Sequence, residues 1–416
     1  MPFRSDDHEI RKPGALRRGL SNLGDYYGQI VISCVVLLLA LGTVMVFSAS
    51  FYQHGVNGDV FFYLRRQLLW IPIAVLSCLV TYHFDYRTLA RYYPWVVLVT
   101  VILLALVFVP GIGLDRNYSK RWLRIGSLQF QPSELAKLTV ILLIAGFFSR
   151  DPGRLLRFGR GYLPVIGLLM LIVGLIVIEP DMGTPMFILG LAGILLVVAG
   201  VRKVYLLSSI VLFAPILTMG AIMRWETIQT RVLAFLNPDE VYQVRHSLLA
   251  LGSGGVFGKG LGAGHQKLKF LPEPYTDFIL SIIGEELGLV GCLTVLALFV
   301  VLLWASVGIA ARARDYFGFV VASGIALSLT LQAATNIAVV TASAPTKGIP
   351  LPFLTFGGSA LCMTLAQVGI LLSVDRVRRK EGPVHAHFEQ SESRAVSGGR
   401  SARRVSMDVG ALQEGV

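Results

Sequence analysis

Three of the four carboxylates in the stretch "KFLPEPYTDFILSIIGEELGLVG" (Lys269 to Gly291) raise the chemical question. Asp277 stands at the threshold of an apolar run, and Glu285 and Glu286 lie inside it. Acids in such a run are expensive and need a partner, a proton or a task. Pro272, Pro274 and Thr276 come just before Asp277. A helix is therefore expected to open there, with Asp277 or Thr276 as its N-cap. The same position suits a general base, a carboxylate with little freedom at a water boundary. Glu285 and Glu286 fall about 12–14 Å further along such a helix. They read as structural acids, paired with Lys137 or with a neighbouring helix.

A second constellation is "KRWLRIGSLQFQPSELAKL" (Lys120 to Leu138). Pro132-Ser133-Glu134 is a good helix opening, with the acid at the favourable end of the dipole. Lys137 lies one turn in. It can pair with Glu134 at i,i+3 or reach back to the interface. Trp122, beside Lys120, Arg121 and Arg124, suits either an interfacial anchor or a contact to a sugar or phosphate.

The third is "LALGSGGVFGKGLGAGHQKLKF" (Leu249 to Phe270), with seven glycines from Gly252 to Gly264. A phosphate-binding loop fails here: Ser253 replaces the first glycine of GxxxxGK, and Gly260 replaces its Ser or Thr. What the glycines offer is backbone able to approach a ligand closely, or to flex.

The elements that must position these residues follow from composition. The chain has 416 residues, 54% hydrophobic and 15% charged, with a mean hydropathy of +0.68. A soluble chain carries about a quarter charged residues, so lipid is the expected solvent for most of this one. Ten apolar runs are long enough to be helical spans: 29–48, 66–82, 94–109, 133–149, 162–178, 183–200, 204–223, 277–307, 316–340 and 357–375. Between the fifth and sixth, Pro180, Gly183 and Pro185 in "IEPDMGTP" predict a tight turn. The polar segment 1–26 is a tail, and the run after it is too long for a signal-peptide core. Residues 376–416 are basic, poor in acids and read as disordered. The four cysteines lie in apolar runs and form no disulfide framework or metal pair.

The net charge of +12 is an orientation signal rather than a nucleic-acid footprint. Ten spans put both termini on one side. The tails carry 5 and 8 Lys/Arg, and short loops on the same side add Arg87, Arg91, Arg150, Arg154, Arg157, Arg160, Arg202, Lys203, Arg312 and Arg314. That side is cytoplasmic by the positive-inside rule. The large loop 224–276, between the seventh and eighth spans, is then outside. Thirteen cations, among them Arg121, Arg231, Lys267 and Lys347, oppose the rule, and Lys137 sits within a span. An anionic ligand on the outer face accounts for the set.

Several stretches together resemble the SEDS family, its cell-division branch (that of FtsW) more than its elongation branch (that of RodA). They are "VMVFSAS", "FFYLRRQLLW", "RWLRIGSLQFQPSELAKL", "EPDMGT", "YQVRHSLLALGSGGVFGKGLGAGHQKLKFLPEPYTDFI" and "TKGIPLPFLTFGGSA". The chain departs at Thr355-Phe356, where members more often have Ser-Tyr, and at Glu179, where many have Gln. The resemblance implies an all-α polytopic membrane protein with ten spans, in the bacterial cytoplasmic membrane at the division septum. It implies a glycosyltransferase that joins lipid II into β-1,4 glycan and releases undecaprenyl diphosphate. The partners would be a class B penicillin-binding transpeptidase and other divisome membrane proteins. The family's catalytic aspartate matches Asp277. Arg121, Trp122, Lys137, Asp181, Arg231, Gln243, Lys267 and Lys347 are the expected substrate-binding residues, with Glu134 and Glu286 as structural or secondary acids. One base with several cations suits inversion at an anomeric carbon bearing pyrophosphate. A divalent cation (Mg2+ or Mn2+) would share that neutralisation, but no ligand cluster in the sequence decides it. A lipid flippase and a non-catalytic divisome scaffold are the alternatives.

Overall fold

The computed structural model describes residues 26–381 apart from 52–58, 111–112, 117–118, 126–127, 180–182, 224, 237–240, 269, 272–273 and 346–347. The tails, Asp181 and Lys347 therefore lie outside the described residues, as does the centre of the turn expected at "IEPDMGTP".

Among the described residues the helices are α1 (Tyr27–Ser50), α2 (Phe62–His83), α3 (Tyr86–Leu106), α4 (Pro132–Ser149), α5 (Leu163–Ile178), α6 (Gly183–Val198), α7 (Lys203–Met223), α8 (Trp225–Leu236), α9 (Tyr242–Ser253), α10 (Ile279–Ala311), α11 (Tyr316–Val340) and α12 (Gly358–Glu381). Nine helical runs are long and apolar enough to cross a membrane, α5 being extended by a π-turn at Phe158–Tyr162. The remaining expected span, the sixth (183–200), is α6, apolar but only 16 residues long. It stops at Val198, and Gly200 then turns the chain with φ +88°. The protein is an all-α polytopic membrane protein.

Local chemistry explains several of the helix starts. Pro132 opens α4 with Glu134 in its first turn. Asp85 caps α3 by accepting from the Arg87 amide, and Asp315 caps α11 by accepting from the Gly318 amide at 2.7 Å. The centre of the bundle is built from α4, α11 and α12, whose faces are mostly buried, while α7 is mostly exposed at the periphery.

Two features were not anticipated. Residues 113–130 form a small antiparallel sheet, β1 (Gly113–Arg116), β2 (Ser119–Ile125) and β3 (Leu128–Phe130), in the order β1-β2-β3. Leu123 on β2 is buried opposite Phe130, and Arg124 beside it is exposed, the alternation expected of a half-buried strand. Second, α10 is broken: Gly288 has φ 70° and ψ −163° inside the helix. The loop between α7 and α10 carries two helices of its own, α8 and α9.

Candidate functional site at the head of the eighth span

Asp277 is held from outside its own helix. The N-cap of α10 is Phe278, with no side-chain cap bond, so the helix starts at Ile279 and Asp277 stands one residue before the cap. This corrects the expectation of an Asp277 N-cap. The physical reason is a competing anchor: Asn336 Nδ2, on α11, donates to the Asp277 carbonyl at 2.9 Å. The Asp277 side chain is half-buried. Its carboxylate faces Gly348, where an added Cβ would come within 3.0 Å of Oδ2. Glycine is the residue that leaves this carboxylate room.

The segment 348–357 is a strap across the same end of the bundle. Asn336 Nδ2 also donates to the Ile349 carbonyl at 2.9 Å. Gln332, one turn earlier on α11, donates to the Pro350 carbonyl at 2.9 Å. At the far end the Phe356 amide donates to the Tyr275 carbonyl at 2.9 Å. Tyr275 packs against Tyr63 with the rings tilted by 37° and their centroids 4.3 Å apart, and its hydroxyl donates to that of Tyr63 at 2.9 Å. Asn336 and Gln332 thus tie the strap to α11, and Asn336 ties Asp277 to both. Sequence reasoning missed this amide pair. The available signal was two amides one turn apart in an otherwise apolar span, where polar groups are costly.

Lys137 joins the same network. Its ammonium lies 2.8 Å from Glu134 Oε1 and donates to Gln332 Oε1 at 3.1 Å, over the Phe187 ring at 5.4 Å. Both Lys137 and Glu134 are buried. The i,i+3 pairing is therefore realised, and the ammonium does not reach back to the interface. A continuous path runs from Glu134 through Lys137 and Gln332 to the Pro350 carbonyl, a few residues from Gly348.

Glu285 and Glu286 belong to a second cluster, and their expected pairing with Lys137 is not what forms. Glu286 accepts from Lys267 Nζ at 2.6 Å, from Ser48 Oγ of α1 at 2.7 Å and from the Gly262 amide at 3.0 Å. Glu285 accepts from Lys259 Nζ at 2.9 Å and from the His265 and Gln266 amides at 2.8 and 3.1 Å. The glycine loop has wrapped around the break in α10. The Lys259 and Gly260 amides donate to the Glu285 and Glu286 carbonyls, and the Leu289 and Val290 amides donate to the Gly255 and Val256 carbonyls. Helix-breaking residues are tolerated in membranes where neighbours satisfy the freed backbone groups in this way. Gly258 and Gly288 are glycine by necessity. Both have positive φ, and a Cβ on either would collide with backbone of the other strand of this junction.

Lys267 therefore departs from the expected set of ligand-facing cations. It is 1% exposed, its ammonium spans Glu286, Ser48 Oγ and the Gly262 carbonyl, and burial without the Glu286 partner would be prohibitive. Arg121 lies on β2, its Nε donating to the Glu179 carbonyl at a long 3.4 Å, with Trp122 half-buried beside it. Gln243 is exposed on α9. Arg231 falls on α8, but its side chain is not among those described. Among the described residues no three His, Cys, Asp or Glu side chains gather as a metal site.

Fold and site define a class: a polytopic helical membrane protein that concentrates buried polar chemistry, and one half-buried aspartate, at one end of its bundle. Residues 28–380 match the FtsW/RodA/SpoVE family of cell cycle proteins, and the chain belongs to that family. It is 38% identical over 354 residues to a probable peptidoglycan glycosyltransferase FtsW of Trichlorobacter lovleyi, covering 84% of this chain and 93% of the relative. It is 38% identical over 356 residues to stage V sporulation protein E of Bacillus subtilis, covering 84% and 97%. Among solved structures, a chain of a peptidoglycan synthase complex superposes with a TM-score of 0.68 at 28% identity, covering 84% of this chain and 97% of the other. The rod shape determining protein RodA of Thermus thermophilus superposes with a TM-score of 0.61 at 28% identity, covering 84% and 96%.

Proposed function

We propose that this chain is a peptidoglycan glycosyltransferase that polymerises lipid II into β-1,4 glycan strands, releasing undecaprenyl diphosphate, at the division septum. The observation that carries the reading is the setting of Asp277 in a chain of this family: a half-buried carboxylate, opposed by a glycine and tethered through its backbone to a neighbouring span.

The chemistry follows from stereochemistry. The donor sugar bears an α-linked pyrophosphate and the product bond is β, so the acceptor 4-hydroxyl attacks the anomeric carbon from the opposite face. As that C–O bond forms, Asp277 takes the hydroxyl proton. The bond to pyrophosphate breaks and its electron pair leaves on the phosphate oxygen, with charge neutralised by cations. Arg121, Arg231 and Lys347 are assigned to that task, and Lys137 contributes from its buried position. Trp122, Asp181 and Gln243 are assigned to the sugar-peptide headgroup. Lys267 is assigned to holding the glycine loop. A bound Mg2+ or Mn2+ would add to the neutralisation.

The basic tails and loops support the reading that both termini are cytoplasmic and that Asp277 lies at the outer face of the bacterial cytoplasmic membrane. The partner is a class B penicillin-binding transpeptidase, alongside other divisome membrane proteins. The test is lipid II polymerisation by the purified chain with such a partner, comparing the parent with Asp277→Asn. Loss of glycan strands in a folded variant supports the reading; parental glycan yield from the variant would sink it.

A further inference from the structure

α10 is longer than a bilayer requires. Its 33 residues extend about 50 Å at 1.5 Å per residue, against a hydrocarbon core of about 30 Å. Only the part beyond Gly288 shows a lipid-type surface, with Leu289, Val290, Leu293, Leu296, Val300 and Trp304 all exposed. The residues from Ile279 to Glu286 are buried. α1 supplies an independent ruler. Tyr27 packs edge-on against Trp304 at 5.2 Å, and at the other end Ser48 bonds Glu286. The rise from Tyr27 to Ser48 is about 32 Å, one hydrocarbon thickness. Glu286, and the glycine loop wrapped round it, thus lie at the edge of the hydrocarbon on the Asp277 side.

At that level the loop turns three large apolar side chains outward. Val256, Phe257 and Leu261 are 54%, 82% and 60% exposed, and Phe257 is the most exposed large apolar side chain among the described residues. They are not on a floppy segment. The loop is pinned to α10 by four backbone hydrogen bonds and by the Glu285 and Glu286 carboxylates. Two of those bonds join Gly255 and Val256 directly to Leu289 and Val290, the first residues of the lipid-facing stripe. The loop tip and the stripe are therefore adjoining surfaces. The loop also meets the condition for contact with hydrocarbon, since the backbone and side-chain bonds above occupy much of its polar backbone. Lys259, between Phe257 and Leu261, has its ammonium drawn onto Glu285 with a third of the side chain still exposed, a position suited to lipid phosphates at the rim.

We infer that the tip of the glycine loop, Val256, Phe257 and Leu261, is inserted among the acyl chains at the edge of the leaflet on the Asp277 side. The loop is then a membrane anchor for the segment between α7 and α10. The occupant is bulk lipid hydrocarbon. A partner helix seated there is the competing outcome.

The test uses the full chain with Cys34, Cys78, Cys292 and Cys362 replaced by alanine, a single nitroxide-labelled cysteine, and vesicles of phosphatidylethanolamine and phosphatidylglycerol without any partner protein. Label at Phe257→Cys is compared with Leu293→Cys on the lipid-facing stripe and Ser343→Cys in the exposed turn after α11. Collision with oxygen should exceed collision with a water-soluble nickel chelate by the same several-fold ratio as at 293. A nickel-chelate accessibility equal to that at 343 would overturn the inference. So would a label shielded from both reagents, which would mean that protein covers the tip. Leu261→Cys gives the same comparison if label at 257 lowers the melting temperature.

Discussion

The two ends of the short helix segment between Asp277 and Gly288 are held by opposite means. At the Glu286 end, two carboxylates are fully buried and each accepts from a lysine and from backbone amides. At the Asp277 end a neutral amide, Asn336, grips two carbonyls, and Gln332 grips a third. The difference separates two acids built into a junction from the one proposed as the base. Donors already occupy the oxygens of Glu285 and Glu286, and those acids serve as the core of a junction. The Asp277 main-chain carbonyl accepts from Asn336, so under the proposed function positioning and proton transfer fall to separate atoms.

The largest effect expected from breaking this contrast is on the ionic end. Lys267→Met leaves Glu286 buried beside Ser48 without its cation, and Glu286→Leu leaves Lys267 likewise. Each should cost about 3–5 kcal/mol, the range for removing one partner of a buried pair. The double variant should recover much of that loss, because two apolar groups replace the pair. Thermal melts of all four proteins in one detergent measure the coupling. Equal, additive losses would mean that the pair is not the junction's core.

Next in size is the neutral end's own chemistry. Asp277→Asn should reduce lipid II polymerisation by about 10²-fold or more, the usual scale for losing a general base. Its melting temperature should stay near the parent's, since the anchoring carbonyl is untouched. If Asp277 were only structural, the variant would lose stability and keep its rate.

Asn336→Ala probes the tether. Two buried carbonyls lose their donor, at a cost of about 1–3 kcal/mol. The rate should fall further than the melt implies, because a displacement of about 1 Å at a reacting group costs about 10²-fold. An Asn336→Ala protein whose rate falls only in step with its folded fraction would make Asn336 a packing residue.

The smallest change is Gly348→Ala. Its methyl would lie in tight contact with the Asp277 carboxylate. Stability should change by less than about 1 kcal/mol, within the range of mild backbone substitutions. Polymerisation should fall modestly, by less than for Asn336→Ala, in an assay at matched folded protein. An unchanged rate would show that the strap has slack at this point.

The helical architecture was legible because its signal is additive along the chain. Each span sums some twenty apolar side chains, and Pro132 marks the start of α4 by its fixed φ. The Glu134–Lys137 pair was legible for the same reason: i,i+3 spacing on one helix determines proximity. The small sheet was not, since its strands are three to seven residues long and embedded in a motif that reads as a basic loop.

Sequence by itself determined that this chain lives in a membrane, that its spans number about ten, and that Asp277 is an acid at a helix threshold. Only the tertiary structure decided what the neighbouring acids are for. Whether Glu286 meets Lys137 or Lys267 is a matter of which loop folds back, and the two lysines differ by far more in sequence distance than in chemical character. The broken helix made that choice: Gly288 frees backbone groups that only a glycine-rich strand can approach, and the approach of that strand carries Lys259 and Lys267 onto the two glutamates. Asn336 illustrates the same limit from the other side. Its bonds go to the carbonyls of Asp277 and Ile349. Every residue but proline offers the same N–H and C=O, so no side-chain pattern in a sequence says which carbonyls a buried amide will find.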